Sequence, residues 1–386
     1  MSQVILSVDP VRYPLTGIGR YAFELSRELP RVCEDDRILF FDGKEVLDHF
    51  VFNDNQTVDD PKSKMKLIKS LAKRSAFISE LYFKIKQKRE SKVLQGHESC
   101  IIHATNFTCP RFEGKKIVSF HDMSAYITPD CQETVRLNIL KKECEYTIKH
   151  ADALITISEA SKHSIVDYFG YPPDRIFVTS LACNRDFYNS EESVTRKHLK
   201  QVGLGYKQYT LFVGTVEPRK NIITLIQAYR KLPEPLRQQV PLVICGHSGW
   251  KSDNIFNEMN RAASEGWLRY LNYVDQKSLL SLYAGAKLFC FPSLYEGFGL
   301  PILEAMASGV PVISADNSSL PEVVGDSGIL IPALDVEGWA NKICDVLESL
   351  SLTEALVTKG YQKAKEFSWE RCALETKRVY DLVEQF

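Results

Sequence analysis

Short runs of Val, Ile, Leu and Phe recur along the chain, each followed by a stretch whose apolar residues have helical spacing. This alternation is the pattern of buried parallel strands joined by helices. Six runs lie in the first half: Val4–Val8, Ile38–Phe41, Cys100–His103, Ile117–Phe120, Ala153–Ile157 and Ile176–Thr179. Six more follow in the second: Thr210–Gly214, Leu242–Gly246, Tyr270–Val274, Leu288–Pro292, Val310–Ser314 and Gly328–Ile331. Parallel strands need cover on both faces, so the pattern predicts an α/β protein of two doubly wound domains, and 386 residues suffice for two cores. The polar stretch Asn184–Gln208 reads as the connector. It predicts one domain over 1–190, a second over 191–368, and a terminal helix over 369–386 that could pack back on the first. Trp369–Tyr380 has the spacing of a helix contributing to a core.

Composition narrows the classes of function. A formal net charge of −1 excludes a chain whose main work is covering nucleic acid, which needs an excess of Lys and Arg. Ten cysteines with no C-x-x-C, the closest pair being Cys100 and Cys109, argue against zinc or redox chemistry and for reduced thiols. The start Met1–Asp9 lacks a basic leader before a long apolar run, and no window approaches the roughly 20 apolar residues of a membrane span. A cytoplasmic chain without signal peptide is expected.

One segment departs from this balance. Lys62–Lys92 carries eleven Lys or Arg against Glu80 and Glu90, with Met65, Leu67, Ile68, Leu71, Phe77, Ile78, Leu81 and Ile85 among them. The interleaving predicts one or two basic amphipathic helices, either a solvated face or, as the charge concentration favours, a contact with an anionic membrane surface.

Three stretches carry chemistry. Gly17-Ile18-Gly19-Arg20-Tyr21-Ala22 reads G-x-G-x-x-A, and Asp42 ends the next strand at the spacing of a dinucleotide fingerprint. The seven residues Pro10–Thr16 between strand and glycines weaken that reading and leave a glycine loop near a ligand at a helix N-terminus. His121-Asp122 follows the run Ile117–Phe120, at a carboxyl strand end where open α/β sheets meet ligands; His103, at another strand end, is a weaker acceptor-side candidate. Glu217-Pro218-Arg219-Lys220-Asn221 presents a guanidinium and an ammonium after the strand Thr210–Gly214, a pair suited to a diphosphate.

Downstream, Glu296-Gly297-Phe298-Gly299-Leu300-Pro301-Ile302-Leu303-Glu304 follows the strand Leu288–Pro292. Gly297 and Gly299 permit close backbone approach, Leu300-Pro301 opens a helix whose N-terminus favours anions, and Glu296 and Glu304 bracket the loop. Carboxylates on both sides of an anion site suit a sugar nucleotide, with hydroxyls on either side of its phosphates. Ser319-Leu320-Pro321-Glu322 reads as a capping box, Ser319 at the N-cap and Glu322 reaching back, with contact to the donor as the alternative.

The E-x7-E stretch Glu296–Glu304, with Ala305–Val312, Leu320–Val323 and Glu217–Asn221, resembles the retaining glycosyltransferases of family four, over most of 209–332. Thr16–Leu25, His121-Asp122 and Thr156–Ser161 extend the resemblance into the first half. It implies a GT-B architecture, two Rossmann-like domains facing across a cleft, with the donor bound mostly by the second. It further implies that Arg219 and Lys220 hold the donor diphosphate in place of a metal, in keeping with the lack of any D-x-D. Glu296 would meet the sugar hydroxyls beside the Gly297, Phe298, Gly299 and Leu300 backbone, and Glu304 the ribose. Gly17 and Gly19 would border the donor phosphates and acceptor, and His121 would hydrogen-bond the transferred sugar.

The wording is similar to bacterial mannosyltransferases that build O-antigen or capsule polysaccharide. It implies a GDP-mannose donor, a lipid-linked glycan acceptor, no metal or other cofactor, contact with other polysaccharide-assembly enzymes, and a place on the inner face of the cytoplasmic membrane. Three alternatives stay open. One is a UDP-sugar donor; another is an NAD-dependent dehydrogenase using Gly17–Ala22 and Asp42; the third is a non-catalytic membrane-attached scaffold.

Overall fold

A computed structural model of the chain describes residues 3–12, 15, 17–33, 38–51, 76–131, 134–188 and 190–386. It divides into two units, Met1–Leu181 with Trp369–Phe386, and Ala182–Ser368.

In the first unit β1 (Val4–Ser7), β2 (Ile38–Phe41), β3 (Val46–Leu47), β4 (Ile101–Ala104), β5 (Lys115–Ser119), β6 (Ala153–Thr156) and β7 (Ile176–Val178) make one sheet. Its order is β3, β2, β1, β4, β5, β6, β7, parallel except for β3. The helices are α1 (Gly17–Val32), α2 (Ala76–Leu94), α3 (Ser124–Ile127), α4 (Thr134–His150) and α5 (Glu159–Phe169). The second unit orders β8 (Thr210–Val213), β9 (Leu242–Cys245), β10 (Leu268–Leu271), β11 (Leu288–Phe291), β12 (Val312–Ala315) and β13 (Ile329–Ile331) as β10, β9, β8, β11, β12, β13. All its pairings are parallel. Its helices are α6 (Glu192–Gln201), α7 (Ile222–Lys231), α8 (Glu234–Gln239), α9 (Asp253–Ser264), α10 (Gln276–Gly285), α11 (Leu300–Ala307), α12 (Leu320–Val324), α13 (Val336–Glu348) and α14 (Leu350–Lys365); α15 (Trp369–Val383) belongs to the first unit.

Each of the twelve apolar runs lies on a strand, and most strand residues are buried, as cover on both faces requires. One run is displaced: β10 ends at Leu271 because Asp275 accepts from Ser278 N–H at 2.8 Å to cap α10, which bends the chain away before Val274. The antiparallel β3 carries no apolar-run signal. The Asp42 carboxylate makes it, accepting from the N–H groups of Lys44 (2.8 Å) and Glu45 (3.0 Å) and folding the chain back on β2.

The boundary falls at Leu181/Ala182 rather than near residue 190. The apparent connector is second-unit structure: Phe187 is buried with its ring 5.4 Å from Tyr283, and α6 buries Thr195 and Leu199. Polarity misled because a short surface helix needs only two inward residues. Asn189 lies outside the described residues, as does Thr16 of the glycine loop.

His103, expected on an acceptor side, is fully buried instead. Its Nδ1 pairs with the Tyr380 hydroxyl at 2.7 Å and its Nε2 with Ser119 Oγ at 2.8 Å, while Tyr21 reaches the same Ser119 Oγ at 2.9 Å. Burial, with the nearby His121, pushes its pKa down to about 3, so the ring is neutral. This chain of hydrogen bonds joins α1, β4, β5 and α15, and Lys115 Nζ adds bonds to the carbonyls of Val383 (3.0 Å) and Glu384 (2.7 Å).

On the described side chains of α2 the amphipathic expectation does not hold; Lys62, Lys64, Met65, Lys66, Leu67, Ile68, Lys69, Leu71, Lys73 and Arg74 lie outside the described residues, as do the side chains of Phe77, Ile78 and Glu80. On α2, Leu81 and Ile85 are exposed among Lys84 and Lys88, so apolar and charged residues share a face. The helix docks through polar contacts. Lys86 lies 3.2 Å from both Asp9 and Glu90, Arg89 donates to Gly43 O at 2.9 Å, and Gln87 to Glu143 at 2.6 Å. Among the described side chains of α2, Val93 and Leu94 reach the apolar core with Ile5, Leu39 and Ile102.

Candidate active site

In a doubly wound sheet ligands meet the carboxyl strand ends where the strand order reverses, between β8 and β11 in the second unit. Both motifs of this half emerge there. After β8, Pro218–Lys220 forms one turn of 3-10 helix, and Asn221 adopts the left-handed conformation at φ 54° before α7. The Asn221 amide fixes the turn, donating to Pro292 O (3.0 Å) after β11 and Ala333 O (2.7 Å) after β13, while Thr224 Oγ1 donates to its carbonyl at 2.7 Å.

The turn aims two cations at one carboxylate. Lys220 Nζ lies 2.5 Å from Glu296 Oε1, and Arg219 Nη1 lies 3.2 Å from Glu296 Oε2. Arg219 also donates to Tyr295 O at 2.7 Å and, through Nη2, to Glu217 at 2.8 Å. Burial alone would raise the Glu296 carboxyl; the charges of Lys220 and Arg219, with the hydrogen bond from Lys220, hold it at about 2. Burial pulls Lys220 below the usual lysine range, opposed by Glu296.

The Glu296–Gly299 loop has its own supports. Ser318 Oγ accepts from Glu296 N–H at 3.0 Å, and Ser319 Oγ shares its one proton between the carbonyls of Glu296 (2.9 Å) and Phe298 (2.7 Å). The capping-box reading of Ser319 is therefore corrected: the residue stands at the N-cap of α12 but makes no side-chain cap bond, its hydroxyl going to the site loop. Gly299, at φ 132°, opens α11, and a Cβ there would meet Leu320 Cδ2 at 3.2 Å. Phe298 is buried against Phe367, and Leu300 begins α11. Glu304 is half-buried on α11, close enough to the buried Tyr283 hydroxyl to help raise its pKa, after burial itself. Gly297 lies between Glu296 and Phe298 in this loop.

In the first unit the order reverses between β1 and β4. Gly17 and Gly19 open α1; a Cβ at Gly17 would meet nothing within 4 Å among the described residues. His121 follows β5 and is 4% exposed, its ring edge-on to Tyr21 and Phe107. Burial lowers its pKa, opposed by the Thr105 carbonyl and Asp122. His121 Nε2 lies 2.8 Å from that carbonyl, which accepts only, so the neutral ring carries its proton on Nε2 and leaves Nδ1 an acceptor. Asp122 accepts from Ser124 N–H at 2.8 Å and so starts α3. Asp42, the acid a dehydrogenase would turn to a ribose, is spent in the β2–β3 turn.

Arg219, Lys220 and Glu296 thus come together, with Gly297–Leu300 contiguous to them. Glu217, Asn221, Ser318 and Ser319 were not singled out as site residues from sequence. The first two lie within the quoted Glu217–Asn221 motif, whereas no spacing rule points from Ser319 to Glu296. Among the described residues no three His, Cys, Asp or Glu side chains cluster as metal ligands.

Two Rossmann-like units, with an Arg-Lys pair on a glutamate at the strand-order reversal of the second, define a glycosyltransferase of the GT-B type. Residues 15–186 match Glycosyltransferase Family 4 and residues 195–363 match Glycosyl transferases group 1, and the chain belongs to this family. It is 36% identical to O-antigen chain mannosyltransferase B of Escherichia coli over 99% of this chain and 100% of that protein. Serotype-specific mannosyltransferase WbdA of Escherichia coli is 31% identical over 58% of this chain and 28% of that longer protein. Among solved structures, WaaG, a glycosyltransferase involved in lipopolysaccharide biosynthesis, superposes with a TM-score of 0.69 at 14% identity, covering 99% of each chain.

Proposed function

We propose that the chain transfers mannose, with retention, from GDP-mannose to a lipid-linked glycan during assembly of an O-antigen or related surface polysaccharide. The observation that carries this reading is the near-full-length identity to O-antigen chain mannosyltransferase B. The geometry suits the chemistry. Arg219 and Lys220 stand where a diphosphate would meet a guanidinium fork and an ammonium, and they neutralise the departing GDP without a metal ion. Glu296 then receives sugar hydroxyls and Glu304 the ribose. His121, with Nδ1 an acceptor, takes a hydrogen bond from a sugar hydroxyl, and Gly17 and Gly19 lie by phosphate and acceptor.

Retention follows from front-face attack. The acceptor oxygen bonds to the anomeric carbon as the carbon–phosphate-oxygen bond breaks on the same face, and the acceptor proton passes to the departing phosphate oxygen. The transition state is oxocarbenium-like, so preorganised cations beside the leaving group supply the stabilisation. We place the protein at the cytoplasmic membrane surface through its basic segment. Among the described residues no helix is long and apolar enough to cross a membrane.

Thermal midpoints with GDP, UDP, ADP and NADH test the donor, because a ligand that binds only the folded state raises the midpoint. A rise with GDP alone is expected; a rise with UDP alone replaces the donor, and a rise with NADH alone overturns the reading.

A further inference from the structure

The first unit carries a groove of about 480 Å³ lined by Lys84, Gln87, Lys88, Ser91 and Lys92 of α2 and by Arg111. Lys84, Lys88 and Lys92 recur every fourth residue, so they stand in one row about 12 Å long at 1.5 Å per residue. Like charges at this spacing oppose helix formation, so helix stability does not explain the row. Arg111 closes the groove with its guanidinium across the Tyr146 ring and Nη2 3.4 Å from Glu143. Its Nη1 is buried without a hydrogen-bond partner among the described residues. Glu143 also accepts from Gln87 at 2.6 Å, so it ties Arg111 to α2 at the edge of the groove.

We propose that this groove is a second anion site, apart from the donor site, that binds a phosphorylated group: a diphosphate or a phosphodiester. A lysine row offers point charges to successive phosphates, and an Arg N–H lacking a partner is the donor such an oxygen would satisfy. The group could be carried by a lipid or dissolved. Leu81 and Ile85, 50% and 62% exposed about two turns and one turn before Lys88, are placed to meet a lipid chain beside its headgroup. That lipid arm rests on the membrane reading above, whereas the phosphate site does not.

The test compares wild type with Lys88→Gln/Lys92→Gln and with Lys44→Gln/Lys149→Gln, which removes two exposed lysines elsewhere on the unit. Each is titrated, with the donor site saturated by GDP, with inorganic pyrophosphate and with phosphatidylcholine vesicles containing farnesyl diphosphate. The groove pair should lose at least tenfold in affinity and the control pair less than twofold. Loss with vesicles but not pyrophosphate assigns a lipid headgroup; loss with pyrophosphate as well assigns the phosphate alone. Equal loss in both pairs, or none in the groove pair, overturns the proposal. The midpoint rise with GDP, measured on the same variants, should be unchanged, so failure of the donor reading registers separately.

Discussion

Lys220 Nζ and Glu296 Oε1, 76 positions apart in sequence, stand 2.5 Å apart at neighbouring strand ends. The ammonium that a donor phosphate would meet is thus already matched by a carboxylate, and Arg219 is shared between Glu217 and Glu296. Two cations face two carboxylates. On the proposed reading, a diphosphate entering here would take over one or both cations and release Glu296 toward the sugar.

Replacing Glu296 by Gln removes that competition. Glu296→Gln should bind a nucleoside diphosphate as tightly as wild type or up to about tenfold more tightly, while turnover falls on the order of a hundredfold. Calorimetric titration beside a turnover assay separates the two effects; weaker nucleotide binding would show that Glu296 does not restrain the cations.

Ser319→Ala leaves the carbonyls of Glu296 and Phe298 without their hydroxyl donor. We expect a stability loss of about 1–3 kcal/mol and a several-fold weaker affinity for the nucleotide, read by denaturant unfolding and titration. A variant as stable and as tight-binding as wild type would mean that the loop is held by other contacts.

Acid should act on the ion cluster in one direction. The folded Glu296 carboxyl titrates at about 2, below its ordinary 4.5, so its contribution to stability is fully present above the ordinary value and is lost as pH falls toward 2. The gap in thermal midpoint between wild type and Glu296→Gln should stay constant from about pH 8 to 6 and narrow from about pH 5 to 3. A gap that widens on acidification contradicts this account.

Tyr380→Phe removes the hydroxyl paired with His103 Nδ1 at 2.7 Å and leaves a buried ring nitrogen unsatisfied. Stability should fall by about 1–3 kcal/mol with kcat unchanged. A drop in kcat without a drop in stability would move His103 from the framework into the chemistry.

What sequence disclosed follows from where the physics is local. Runs such as Leu288–Pro292 announce strands because a parallel strand buries both faces, and Arg219, Lys220 and Glu296 stand out because chemical groups flank glycines at predicted strand ends. The Ser319 hydroxyl was misassigned because a serine three residues before a glutamate reads as a helix cap, and its turn toward Glu296 is decided by tertiary packing. His103 differs from its sequence expectation for a related reason: a histidine at a strand end reads as exposed, and α15, 277 positions away at Tyr380, covers it. The α6 helix looked like linker because Thr195 and Leu199 alone face inward.

The sharing of His103 between β4 and α15 also sets an order of events at the ribosome. The first unit is discontinuous, since Trp369–Phe386 is synthesised after all of Ala182–Ser368. At about 5–20 residues per second, the N-terminal sheet waits roughly ten to forty seconds with the face of α1 and the His103 imidazole uncovered. The second unit, continuous in sequence, can therefore reach its native state before the unit begun ahead of it.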